Sequence, residues 1–207
     1  MEELTVAWRS EGYLEEKKSE FFSFLVPSKS LADFEGFISE LRQKNREMCH
    51  FCSAVRLRSP TLVERASDDG EPSGTAGRPI LNVLQRKNLI NCGIVVMRKF
   101  GGTLLGTGGL TRAYSEAAQS CVLSAKTGRM VPFSMMKGTI GYKEWAKIEK
   151  LVREYDKSPQ TSFGENIQVS FLVREDKVNN ILMLLKEVLG GEEPFSPIER
   201  RMIFESI

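Results

Sequence analysis

Histidine is almost missing from this chain: among 207 residues there is one, His50. A lone imidazole cannot build a zinc site that needs two histidines, and it leaves any imidazole chemistry to one position. Tryptophan is scarce at two residues, and the four cysteines are spaced irregularly. Cysteines so few and uneven do not make the disulfide framework of a small secreted domain, so a reducing, cytoplasmic compartment is expected. No run approaches the ~20 apolar residues of a membrane span, and the acidic start Met1-Glu2-Glu3 lacks a signal-peptide pattern. An excess of one charge is lacking too: 29 basic residues stand against 27 acidic ones, a net charge of +2. The chain is therefore not a bulk polycation. With 41% hydrophobic and 27% charged residues it has ordinary globular composition, enough for one large domain or two small ones.

What is present is concentrated between Asn91 and Ala125. Gly93-Ile94-Val95-Val96-Met97 suits a short buried strand, closed by Arg98, Lys99 and Phe100. Gly101, Gly102, Gly106, Gly108 and Gly109 follow, separated only by Thr103, Leu104, Leu105 and Thr107. Then the period changes: Leu110, Ala113, Tyr114, Ala117, Ala118, Cys121, Val122 and Ala125 recur as the buried face of a helix. Strand, glycine loop, helix is a way to offer free backbone N–H groups to an anion, at a helix end whose dipole favours negative charge. The same glycines also permit tight chain reversal with no ligand at all. Gly101 and Gly106 have the separation of a P-loop, but Thr107 stands where that motif requires lysine, which excludes an ATPase of that type.

Charge distribution says more than the sum. From Arg78 to Arg129 there are eight basic residues (Arg78, Arg86, Lys87, Arg98, Lys99, Arg112, Lys126, Arg129) and one acid, Glu116. Such a local excess attracts phosphates, unless acids distant in sequence lie beside it in space. Upstream runs a second polar loop, Ser67 to Leu81, holding Asp68, Asp69 and Glu71. Three readings of these carboxylates stand: a cation or acid–base site, a turn with Asp side chains on local N–H groups, or a salt bridge to the basic loop. Both loops feed helices and are expected to meet at one sheet edge. Cys49-His50-Phe51-Cys52 has C-x-x-C spacing, but residues three apart in a strand face opposite ways, so no metal is assigned. His50 is left as a polar partner or an acid–base group.

The remaining elements follow from periodicity. Strands are expected near Val6–Trp8, Phe21–Val26 and Ala54–Leu57, the first two joined by a charged link. A helix capped by Ser30 with Asp33 buries Leu31, Phe34, Phe37, Ile38 and Leu41. Pro79 opens another helix, with Ile80, Val83 and Leu84 inside. The pattern changes at Thr127–Pro132, which divides the chain into domains 1–130 and 131–207. The second reads as strand (Phe133–Tyr142), helix (Lys143–Tyr155), strands (Pro159–Phe163 and Ile167–Val173), helix (Asp176–Leu189, stopped by Gly190) and strand (Arg200–Phe204). The order β-α-β-β-α-β is the ferredoxin-like arrangement, and the fold class is α+β.

Ser67-Asp-Asp-Gly-Glu-Pro-Ser-Gly-Thr-Ala-Gly-Arg-Pro-Ile-Leu81 and Arg98-Lys-Phe-Gly-Gly-Thr-Leu-Leu-Gly-Thr-Gly-Gly-Leu-Thr-Arg-Ala-Tyr114 resemble the two signatures of the YigZ/IMPACT family, in its bacterial two-domain form. Lys17-Lys18-Ser19 and His50-Phe51-Cys52 match weaker family segments in the right order. The resemblance implies an N-terminal α/β domain of the ribosomal-protein and elongation-factor G domain IV type, followed by a small ferredoxin-like domain. It implies a role in translation, since the eukaryotic relative regulates translation by contacting a partner of a stress kinase. For bacterial members it implies nucleic-acid or ribosome binding, and it carries no catalytic set. Lys99 departs from the family, which often has tyrosine there, as do Ser53 and Val55, where aromatics are frequent. If those aromatics stack on bases, this chain trades platforms for a charge.

Three functions are weighed. The leading one is a non-catalytic, translation-associated protein binding RNA, the ribosome or a phosphate-bearing ligand at Gly101, Gly102, Gly106, Gly108 and Gly109, with Arg78, Arg98, Lys99 and Arg112 as counter-charges and no cofactor. The second is a hydrolase using Asp68, Asp69, Glu71 and His50 on a phosphorylated substrate. The third is a protein-interaction module whose acidic loop docks a partner.

Overall fold

The apolar run at the middle of the chain becomes the middle of a sheet. In the computed structural model, which describes residues 3–58 and 60–207, the chain divides into two units: Met1–Arg129 with Ser206–Ile207, and Met130–Glu205. The first unit is built on β1 (Thr5–Val6), β2 (Ser10–Glu16), β3 (Ser19–Pro27), α1 (Leu31–Lys44), β4 (His50–Arg58), β5 (Leu62–Ser67), α2 (Gly77–Arg86), β6 (Cys92–Lys99) and α3 (Gly106–Leu123). Its sheet runs β2-β3-β6-β4-β5, with every neighbour antiparallel.

Strand β6 is buried from Cys92 to Arg98 because both faces of the sheet are covered. Its side chains alternate between two layers. Ile94 and Val96 pack with Phe21, Leu25 and Ala54 against α2 and α3, whereas Val95 and Met97 pack with Phe51 and Val55 against α1. Ser30 caps α1 as expected, accepting the Asp33 N–H at 3.1 Å, while the Asp33 carboxylate reaches the Lys29 N–H at 3.2 Å. Small residues let α3 lie close over the sheet: the Ser23 hydroxyl donates to the Ala117 carbonyl at 2.6 Å and Ser10 to that of Cys121 at 2.7 Å.

Some elements differ from expectation. The strand expected at Val6–Trp8 is only the short β1, and the charged link beyond it is itself strand β2, the edge of the sheet. It reaches β3 through Lys17 and Lys18, both at positive φ (49° and 66°) between paired Glu16 and Ser19. Strand β4 begins at His50, so His50, Phe51 and Cys52 lie inside it. Strand β5 is polar and gave no alternating signal.

From residue 127 onward, mostly in the second unit, come β7 (Thr127–Ile140), α4 (Tyr142–Tyr155), β8 (Gln160–Phe163), β9 (Ile167–Arg174), a 3-10 turn (Glu175–Lys177), α5 (Val178–Val188) and β10 (Phe195–Ser206). Strand β7 pairs with β9 and β10, and β8 with β9. Trp145, Ile148, Val152, Ile181 and Leu185 close its core over Met136, Val169 and Phe171. Gly190, at φ 68°, ends α5. The stretch Thr127–Pro132 lies inside β7: Thr127 and Gly128 pair with β1, and Phe133 to Ile140 pair with β9. No helix among the described residues is long and apolar enough to cross a membrane.

Candidate ligand-binding cleft

Strand β6 delivers Arg98 to one end of the first unit's sheet, opposite His50 on β4 and Phe21 on β3. The loop before α2 brings Glu71 to the same place. Arg98 is 5% exposed and donates from Nη1 to Glu71 Oε1 at 2.7 Å. Glu71, 9% exposed, also accepts the Tyr114 hydroxyl from α3 at 2.8 Å. Ser19 accepts from Arg98 Nη2 at 3.3 Å and from the Gly101 N–H at 3.2 Å. One carboxylate thus joins the acidic loop, the end of β6 and α3. Arg98 Nε is buried with no acceptor, an orphan donor that costs on the order of 1–3 kcal/mol.

His50 lies at the rim, Nε2 4.0 Å from Glu71 Oε1. Its Nδ1 is 2.8 Å from the Asp69 carbonyl oxygen. A carbonyl only accepts, so Nδ1 donates, and Nε2 is the acceptor whenever the ring is neutral. The other two acids of the loop turn to the backbone. Asp68 accepts N–H groups from Gly74 (2.8 Å), Ala76 (3.0 Å) and Gly77 (2.8 Å). Burial favours its neutral form, but those donors outweigh it and hold the carboxyl below the usual range. Asp69 accepts the Phe51 N–H at 2.6 Å and pairs with Arg42.

Cys49, His50, Glu71, Pro72, Arg98, Phe100, Leu104, Leu105, Gly106, Thr107 and Leu110 line a cleft of ≈ 510 Å³. Its floor is polar and its walls apolar, with Leu104 83% exposed. At its mouth α3 starts without a side-chain cap, Leu105 being the capping residue. The first-turn N–H groups of Gly106, Thr107 and Gly108 therefore have no intrahelical acceptor. Gly106 has φ 69°, and a Cβ at Gly106 or Gly108 would meet nothing within 4 Å, so the corner is open. Gly102 is open as well, but a Cβ at Gly101 would collide with the Lys18 carbonyl, which gives that glycine a packing role.

The cations named from the sequence do not all gather here. Only Arg98 lines the cleft, and Glu71 neutralises it. Lys99 is exposed and pairs with Glu20 at 3.3 Å. Arg78 is exposed on α2, and Arg112 is exposed on α3, one turn beyond Gly108. Of the three readings of the acidic loop, Glu71 has the salt bridge and Asp68 the local turn. In sequence Tyr114 belongs to a helix stripe and Ser19 to a family segment; a tyrosine on an apolar stripe is the one signal of this cluster, since a buried hydroxyl needs a partner. The cysteines separate likewise: Cys49 is exposed, whereas burial pushes the Cys52, Cys92 and Cys121 thiols up to about 12. Burial also raises the Tyr114 hydroxyl, keeping it a donor to Glu71.

Residues 17–122 match the model of the Impact N-terminal domain. This chain is also 33% identical to an IMPACT family member from Haemophilus influenzae, over 84% of this chain and 86% of that protein. The chain belongs to the IMPACT family. Its relative YigZ of Escherichia coli is 33% identical over 68% of this chain and 70% of its own. A solved structure described as that of a hypothetical protein aligns with a TM-score of 0.60 and 28% identity, over 96% of this chain and 99% of the other. Every cleft residue falls within the stretch that matches the IMPACT domain.

Proposed function

We propose that this IMPACT-family chain is a non-catalytic, translation-associated protein that binds RNA, or another phosphate-bearing ligand, where α3 begins. The observation that carries the reading is the uncapped, open first turn at Gly106–Gly108 beside the orphan Arg98 donor. Family membership supports the link to translation, and four free cysteines support a cytoplasmic location. The β-α-β-β-α-β order of residues 127–206 supports a ferredoxin-like second unit, and the first unit is assigned to the elongation-factor domain IV type on the family resemblance alone. RNA or the ribosome is the proposed partner.

Titration of the full chain with RNA at two salt concentrations tests this. Binding weakens steeply as salt rises, because counterions are released, and Arg112→Ala lowers both affinity and salt slope. Affinity indifferent to salt and to that change removes the reading.

A second reading rests on one arrangement, the fixed His50 tautomer facing Glu71 across 4.0 Å. An acceptor nitrogen beside an anion seat suits general-base chemistry on a phosphorylated substrate. Turnover of a phosphoester panel that disappears with His50→Gln transfers the assignment to a hydrolase.

A further inference from the structure

We infer that the cleft takes a single unstacked nucleotide of a single-stranded RNA, its phosphate on the first turn of α3 and its base against Phe100. The inference rests on the phosphate-binding reading above and narrows it to one strand state and one base.

Phe100 is 46% exposed and lies between the end of β6 and the start of α3. The Arg98 guanidinium carbon sits 5.5 Å from its ring centroid and 5.6 Å from that of Phe21. The platform is therefore anchored from below by a cation that is itself held by Glu71 and Ser19. An aromatic face presented in this way stacks on any base, since every base has a π-face.

The second observation is the donor set. Arg98 is 5% exposed, lines the cleft and holds one N–H with no acceptor. Above it the amides of Gly106, Thr107 and Gly108 meet the oxygens of a phosphate. His50 Nε2 supplies the complementary acceptor, suited to an exocyclic amine or a ribose 2′-hydroxyl. Glu71 does not repel the phosphate, because its charge is already matched by Arg98 at 2.7 Å.

Size decides the strand state. A cleft of ≈ 510 Å³ is of small-molecule dimensions and admits one base with its sugar, not the edge of a helix. In a duplex the base faces are stacked on neighbours and cannot reach Phe100 without being flipped out. Leu104, Leu105, Leu110 and Pro72 give the apolar walls that shield the stacked base.

The full chain is titrated with a labelled oligoribonucleotide, single-stranded and then annealed to its complement, using wild type, Phe100→Ala and Phe100→Tyr. Phe100→Ala is expected to weaken single-strand binding by about tenfold, Phe100→Tyr to retain it, and the duplex to bind at least about tenfold more weakly. In parallel, maleimide labelling of Cys49, the exposed thiol at the rim, slows when the single strand is bound. Duplex binding as tight as single-strand binding, an unchanged affinity in Phe100→Ala, or a Cys49 rate indifferent to RNA overturns the inference. If those negatives appear while Arg112→Ala and salt still weaken binding, the phosphate reading stands and the one-base site falls. If neither form of RNA binds, both fall.

Discussion

Glu71 and Arg98 stand 27 residues apart and meet almost without solvent. A buried pair of this kind is not a large net source of stability, because both ions lose water, but breaking it strands a charge. Glu71→Gln is expected to lower unfolding stability by about 3 kcal/mol, measured by urea denaturation. Adding Arg98→Met restores a large part of that loss, because the stranded cation is gone. A single-variant loss below about 0.5 kcal/mol would show that solvent reaches the pair. At this scale the sequence named the participants without their assignments. Glu71, His50, Arg98 and Gly106 were legible from loop composition and family motifs. That Arg98 spends its charge inward, while Arg112 stays at the surface, depends on which acids approach in space, and local charge counts carry no such information.

Elements were legible where packing imposes a period. Helices α1 and α3 follow from stripes that face a sheet, and β6 from its unbroken apolar run. Strands β2 and β5 were not, because edge strands with polar outer faces have no such pattern. The β2–β3 hairpin was further hidden by its turn, since Lys17-Lys18 is not an Asn-Gly signal although both residues adopt positive φ. Left-handed backbone at two consecutive lysines stores strain of order 1 kcal/mol each, the kind kept at sites of function. Replacing Lys17-Lys18 with Asn-Gly is expected to raise stability by about 1–2 kcal/mol in thermal or urea unfolding. No gain would mean that other contacts of the lysines compensate for the strain. The same turn abuts Gly101, so its geometry reaches the glycine loop directly.

Across the whole molecule the two units have separate cores, residues 6–122 supplying those of the first and 136–195 that of the second. Each unit also has its own tryptophan, Trp8 or Trp145. Ile148→Ala, at a fully buried position, is expected to cost the second unit about 3 kcal/mol. In a Trp8→Phe background, Trp145 fluorescence reports that shift; in a Trp145→Phe background the Trp8 transition moves far less. Equal shifts by both probes would show one cooperative unit. The order of elements after residue 127 was readable because its helices and strands alternate cleanly. The division falls inside the continuous strand β7, between Arg129 and Met130. One consequence of the clasp at Glu71 concerns inheritance. The segment from Phe100 to Leu105 hangs between a strand end and a helix start, but Gly101 is pressed against Lys18 and Leu105 against the core. Leu104, 83% exposed, is the position of that segment where a new side chain would alter the cleft wall without loosening the scaffold, while the pins beneath stay put.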